Sequence, residues 1–384
     1  MQKGNLIRYI YLAGFIFYIP VALVSYINSS FLESYIGKGY VGLIYALASA
    51  VVILSLPKMR SILTRIGNRK AIIVFCLLNF LALTTLALST SAFSAILAFV
   101  LYFSSMTFLF ATLDVFIEEF GKSKSTGRTR GLYLTAVNLA WVLGQFISSA
   151  IIEKISFSGV YVLSAIFVIL GSLIFVFLIK EFKDPEYKKL SPLKTIKTFL
   201  QNKNLWQIYS SNFILQFFYS FMVIYTPIYL YTHIGFGWSE IGIIFSIMLL
   251  PFVLLEYILC KFSDKIGEKE MLSGGFAVAM IFTFLIPFVK STELLVWALL
   301  LFATRVGAAA IEVMNESYFF KNVKEEDADE ISFFRNANPL AYIVAPLVAT
   351  SIFYFDLPFK YIFFCLSIIL FFGFLTALRL KDVR

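Results

Sequence analysis

One arginine sits where an arginine is costly. Arg305 lies eleven residues into an apolar run, Leu294 to Met314, whose only other charge is Glu312. At about 1.5 Å per residue, that places it about 16 Å into a hydrocarbon layer about 30 Å thick. A guanidinium at such depth requires water, a carboxylate or a solute beside it. Positions 305, 309, 312 and 316 share one helical face, so Arg305 belongs to a stripe with Glu312 and Glu316. Such a stripe should line a cavity. Two chemistries fit: holding an anionic or carboxylate-bearing solute, and exchanging a carboxylate partner during proton coupling. A fixed ion pair, with Glu256 as partner, is the alternative without function. Gln216 and Tyr219 form a second candidate pair, three apart in a run that contains Pro227, whose ring frees a backbone carbonyl and can hinge a gate. Asn138 and Thr107 lie at similar depth in other runs, where polar side chains also serve to join helices.

Catalytic patterns are missing from the sequence. There is no phosphate loop and no nucleophile–base arrangement, and the acidic residues from Glu325 to Glu330 read as a solvated loop. The three cysteines, Cys76, Cys260 and Cys365, have neither paired nor metal-ligand spacing. His233, the one histidine, falls in a loop beside Gly235 and Gly237. No metal or cofactor is implied, and energy must come from an ion gradient, with protons as the expected ion, or from the solute's own gradient.

The elements that position these residues follow from composition. Of 384 residues, 60% are hydrophobic and 14% charged, with a mean hydropathy of +0.86, which excludes an ordinary soluble domain. Twelve apolar runs are long enough to cross a bilayer. Six lie at Ile7–Tyr26, Tyr40–Leu56, Ala71–Leu88, Phe93–Phe116, Gly131–Ile152 and Val160–Ile179; the others at Ile208–Tyr231, Ile241–Leu259, Met271–Val289, Leu294–Met314, Asn336–Phe355 and Tyr361–Leu380. The net charge of +9 is partitioned by these spans: 27 of the 32 Lys and Arg fall on the side of the N-terminus, four fall opposite, and Arg305 is inside. By the positive-inside rule both termini are cytoplasmic, and the basicity is accounted for without nucleic acid. The polar stretch 180–204 separates residues 1–179 from 205–384, six spans each, and within it Leu190 to Leu200 reads as an amphipathic helix suited either to the inner leaflet or to a solvated linker.

The halves repeat. Thr64-Arg65-Ile66-Gly67 matches Asp264-Lys265-Ile266-Gly267 at an offset of 200; Asp114 and Glu118 match Glu312 and Glu316 at 198; Ala140, Gly144, Ser148 and Ser149 match Ala341, Ala345, Ala349 and Thr350 at 201. A duplicated six-span unit is a known transporter architecture with the solute site near the midplane.

On these residues the chain resembles the major facilitator superfamily. That family's motif between spans two and three has the approximate form G-x-L-A-D-R-x-G-R-K. Here Arg65, Gly67, Arg69 and Lys70 survive, while the leading glycine and the aspartate do not. The copy after span eight keeps Asp264, Lys265, Gly267 and Lys269. The resemblance implies an all-α integral membrane fold of twelve transmembrane helices in two pseudo-symmetric bundles. It also implies a cytoplasmic charge latch: Arg65 with Asp114 or Glu118, and Lys265 with Glu312 or Glu316, against ordinary interfacial charges as the alternative. Small residues at the four glycine positions of the antiporter motif in span five, with Gln145 for its proline, lean the reading to export. The expectation is a monomeric secondary transporter in the cytoplasmic membrane, moving a small solute by alternating access. A membrane-embedded enzyme on a lipid-linked substrate, a non-transporting relative and a uniporter are the alternatives.

Overall fold

The computed structural model describes the backbone over residues 3–121, 127–179, 182, 184, 192–323 and 328–380; side chains at 3–5, 118–121, 127–132, 134, 192–193, 257, 260, 264–265 and 328 are outside the description. Every regular element among the described residues is helical. The first six spans are α1 (Lys3–Val24), α3 (Lys38–Ile66), α4 (Asn68–Leu88), α5 (Ala92–Gly121), α6 (Gly127–Lys154) and α7 (Phe157–Leu173), with a short α2 (Asn28–Ile36) after the first. A linker helix α8 (Pro192–Gln201) precedes α9 (Lys203–Tyr229), α10 (Trp238–Leu254), α11 (Glu256–Ile266), α12 (Glu268–Leu285), α13 (Leu294–Asn322), α14 (Ala328–Arg335), α15 (Ala337–Tyr354) and α16 (Tyr361–Leu378).

Among the described residues, eleven helical segments are long and apolar enough to cross a membrane. The eighth expected span differs, because it divides into the 17-residue apolar α10 and the polar α11. Pro251 sits near the end of α10 and lacks the amide proton that would bond one turn back. The helical path nevertheless continues, since Leu255 N donates to the Pro251 carbonyl at 2.8 Å and Leu259 N to that of Leu255 at 2.8 Å. The eighth crossing, which completes the twelve, is therefore made by the consecutive pair α10–α11.

The chain forms two compact units, Met1–Lys189 with Gly237–Gly242, and Leu190–Phe236 with Ile243–Arg384. In the first, the small residues of α6 let helices touch. A Cβ on Gly144 would stand 2.8 Å from the Ala22 Cβ of α1. Beside it, the Gln145 amide donates to the Ala22 carbonyl at 2.7 Å. That carbonyl belongs to the last turn of α1, where no helical amide remains to bond it, so the side chain satisfies an otherwise orphan group. In the second unit, a Cβ on Gly307 of α13 would meet the Ala279 nitrogen and the Gly275 oxygen of α12, each at 2.5 Å. These two backbones are in direct contact, which only glycine allows.

Candidate functional site

The two repeated loops have the same backbone. Gly67 has φ +77° and ψ 155°, and Gly267 has φ +109° and ψ 149°, a region that residues with a Cβ avoid. Each glycine ends one helix and starts the next, leaving free amides at the start of α4 and α12. An anion meets each start. In the first unit it comes from far along the chain: Asp184 Oδ1 accepts from the Asn68 amide at 2.7 Å. Asn68 is itself buried and donates from Nδ2 to the Thr112 carbonyl of α5 at 3.0 Å. Phe182, two residues before Asp184, packs on Phe116 with ring centroids 4.3 Å apart. Arg69 reaches α7, where the helix widens into a π turn at Ile174–Leu178, and donates to the carbonyls of Phe175 and Val176, each at 3.0 Å. Its charge thus complements the negative end of a helix.

In the second unit the anion is Glu268, the first residue of α12 and 4% exposed. It pairs with Lys321 of α13 at 2.5 Å and accepts from the Ser317 hydroxyl at 2.9 Å. Immediately before Ser317 on α13, Glu316 lies 3.5 Å from Arg335 of α14.

Arg65 and Lys70 are exposed, and Lys269 is half-buried. Asp114 is exposed at the end of α5. The side chains of Glu118, Asp264 and Lys265 lie outside the described residues. Among the charged contacts at these loops are those of Asp184, Arg69 and Glu268. Asp184 and Glu268 carry no local signal in the sequence, although Glu268 aligns with Asn68 at the same offset of 200 that marks the glycines.

The deeper constellation lies on α9, α13 and α15 of the second unit. Arg305 has no exposed surface. It does not line an open cavity, because aromatic residues of α9 cover it: its guanidinium carbon lies 4.9 Å from the ring centroid of Phe218 and 5.6 Å from that of Tyr219. A desolvated cation over two π faces gains about 2 kcal/mol or more. Tyr219 has a second attachment, since its hydroxyl donates to Glu312 Oε2 at 2.6 Å. One aromatic side chain thus joins the cation and the carboxylate, which are seven residues or about 10 Å apart along α13.

Polar contacts continue from α9 to its neighbours. Asn338 of α15 donates to Gln216 Oε1 at 2.7 Å, Gln216 Nε2 to Asn212 Oδ1 at 3.4 Å, and Asn212 Nδ2 to the Phe334 carbonyl at 3.2 Å. Asn338 is exposed, while Gln216, Tyr219 and Glu312 are half-buried. These four residues form a polar, partly open face with Arg305 enclosed behind it. Of the two remaining candidates, Thr107 bonds the Phe103 carbonyl of its own helix at 2.8 Å, and Asn138 is half-buried on α6.

A family model described as Major Facilitator Superfamily matches residues 10–327 and 238–384. The chain belongs to the major facilitator superfamily. Among solved structures, this facilitator is similar to a bacterial homologue of the human lysosomal transporter Spinster, crystallised in an inward-facing and unoccupied conformation. The TM-score is 0.74 at 12% identity, over 98% of this chain and 97% of that one. At that identity the likeness carries the fold alone. No curated protein matches the facilitator in sequence. Family and fold together make it a multi-pass membrane protein of the twelve-helix type, and a secondary transporter rather than an enzyme.

Proposed function

We propose that this facilitator is a proton-coupled exporter of a small solute, working as a monomer in the cytoplasmic membrane with both termini in the cytoplasm. The solute meets the polar face made by Gln216, Tyr219, Glu312 and Asn338. The observation that carries the reading is the double attachment of Tyr219, ring against Arg305 and hydroxyl on Glu312. Cation and carboxylate cannot change partners independently while that side chain links them.

A solute with an anionic or strongly accepting group competes for Arg305 once the Tyr219 ring moves aside. Movement of the ring frees ionised Glu312 to accept from a donor on the solute, and a proton on Glu312 removes that acceptor, so solute and proton occupy the site alternately, as export driven by proton entry requires. Binding and protonation are coupled because they act on the same side chain. A charged group left alone in the membrane interior costs several kcal/mol, so the intermediate with both groups released and unpaired is suppressed. The lean to export rests on the small residues of α6.

The test is transport in proteoliposomes, with and without an imposed pH gradient, across small anions, sugars, amino acids and amphipathic compounds. The native protein should show gradient-dependent flux for one class. Arg305→Ala should abolish that flux. Glu312→Gln should retain exchange of solute for solute but lose the response to the gradient. Unchanged gradient dependence in Glu312→Gln would remove the carboxylate from the mechanism.

A further inference from the structure

We infer that α8 is an interfacial helix that binds anionic phospholipid, tying the second unit to the charged surface of the leaflet on the side of the chain termini. The helix has three distinct sides, at about 100° per residue. Thr195 and Phe199, four apart, are buried against the protein. Phe199 is wholly enclosed and packs on Tyr209 of α9 and Phe333 of α14, with centroids 5.8 and 4.6 Å away. Ile196 and Leu200, also four apart, are turned about 100° from that face and are 37% and 61% exposed. Lys194 and Lys197 are exposed on the side away from Phe199.

A solvated linker helix needs two sides, one packed and one polar. The third side here, apolar and open, is unfavourable in water and favourable in the acyl region. Its depth is set by the corner that follows. Asn202 donates its amide to the Thr198 carbonyl at 3.0 Å, ending α8, and its side chain caps α9 by accepting from the amides of Asn204 and Leu205. Trp206, in the first turn of α9, is 43% exposed, and tryptophan is enriched at the membrane–water boundary. Leu200 and Ile196 thus lie six and ten residues before an interfacial anchor, across one ordered corner. Lys194, Lys197 and Lys203 are all exposed and lie on the side that carries 27 of the 32 cationic residues. Such a cluster is complementary to an acidic headgroup layer.

Amide hydrogen exchange over residues 192–201 tests this on the full-length protein in nanodiscs. One set holds phosphatidylcholine alone, the other phosphatidylcholine mixed with phosphatidylglycerol; because both leaflets of a disc share a composition, the readout is independent of orientation and of any transport activity. Protection should rise in the anionic discs by about fivefold per participating lysine at low salt and fall back at high salt. Lys194→Gln with Lys197→Gln should erase that increment while leaving the protection seen in phosphatidylcholine. Leu200→Ser should lower protection in both lipids. Equal protection in the two lipids, or an increment that survives the double glutamine substitution, would overturn the anionic pairing. Rapid exchange throughout would show α8 to be a solvated linker.

Discussion

Removing one oxygen atom isolates the link between Arg305 and Glu312. Tyr219→Phe keeps the ring, and with it the cation–π contact to Arg305 at 5.6 Å, but deletes the hydroxyl that donates to Glu312 Oε2 at 2.6 Å. A hydrogen bond to a charged acceptor is worth about 1.5–3 kcal/mol net. At 1.36 kcal/mol per factor of ten, the carboxylate should become available about tenfold to more than a hundredfold more often. The assay needs no knowledge of the solute: a hydrophobic carbodiimide modifies membrane carboxyl groups, and mass spectrometry of the peptide containing Glu312 gives the rate. Tyr219→Phe should raise that rate by about tenfold or more, with the melting temperature in detergent little changed. Tyr219→Leu should raise it as far and also lower the melting temperature, since Arg305 then loses a π face. A rate in Tyr219→Phe equal to that of the native protein would refute the argument that Tyr219 holds the carboxylate, and with it the proposed coupling.

Five further outcomes follow from the packing, the loops and one acidic side chain of α2. Gly307→Val should destabilise by about 1–3 kcal/mol or more, read as a lower melting temperature, because its Cβ would press on backbone atoms of α12 at 2.5 Å and neither helix can yield locally. Gly67→Ala should cost about 1–3 kcal/mol through its φ of +77°, and Asp184→Asn a smaller amount, by the same measurement. Glu268→Gln should cost about 1–3 kcal/mol, since it leaves Lys321 without its partner and removes an anion from the start of α12. Glu33 of α2 lies outside the spans, and burial raises its pKa above the ordinary 4.5 despite the opposing pull of Lys38. An acid raised on folding contributes stability below its unfolded pKa, and loses it as pH climbs through the folded value. Glu33→Gln should therefore flatten the decline in melting temperature above pH 4.5, and an unchanged pH profile would contradict the assignment.

Most of the fold was legible in the sequence because the bilayer restricts what a chain can do. Runs of about 20 apolar residues must be helices, and the bias of Lys and Arg to one side fixes how they alternate. Gly67 and Gly267 were visible through their common offset, and both adopt the backbone that only glycine tolerates. The partners of the loops were less accessible. Asp184 reaches back across the whole first unit to Asn68, and no local spacing encodes a contact of that range. Arg69 stood out as a conspicuous basic residue, yet its acceptors are backbone carbonyls freed by a π turn, which leave no mark in side-chain identity. Helical periodicity placed Arg305, Glu312 and Glu316 on one stripe, but it could not show that a neighbouring helix presents Phe218 and Tyr219 over the guanidinium. The expectation of an open cation failed there, because exposure is set by tertiary packing.

The contact between Asp184 and Asn68 also orders events during biosynthesis. The amide that begins α4 is made 116 residues before the carboxylate that accepts from it. At about 5–20 residues per second, the ribosome needs on the order of ten seconds to supply that partner. Throughout the interval, spans three to six enter the membrane while the loop at Gly67 lacks its distant anion. The contact forms only after α7 has crossed and returned the chain to the starting side, so it reports that a complete set of six helices has been inserted. A chain stalled after four or five spans would keep this loop open to proteases on that side of the membrane, giving quality control a local means of distinguishing an unfinished first half from a finished one.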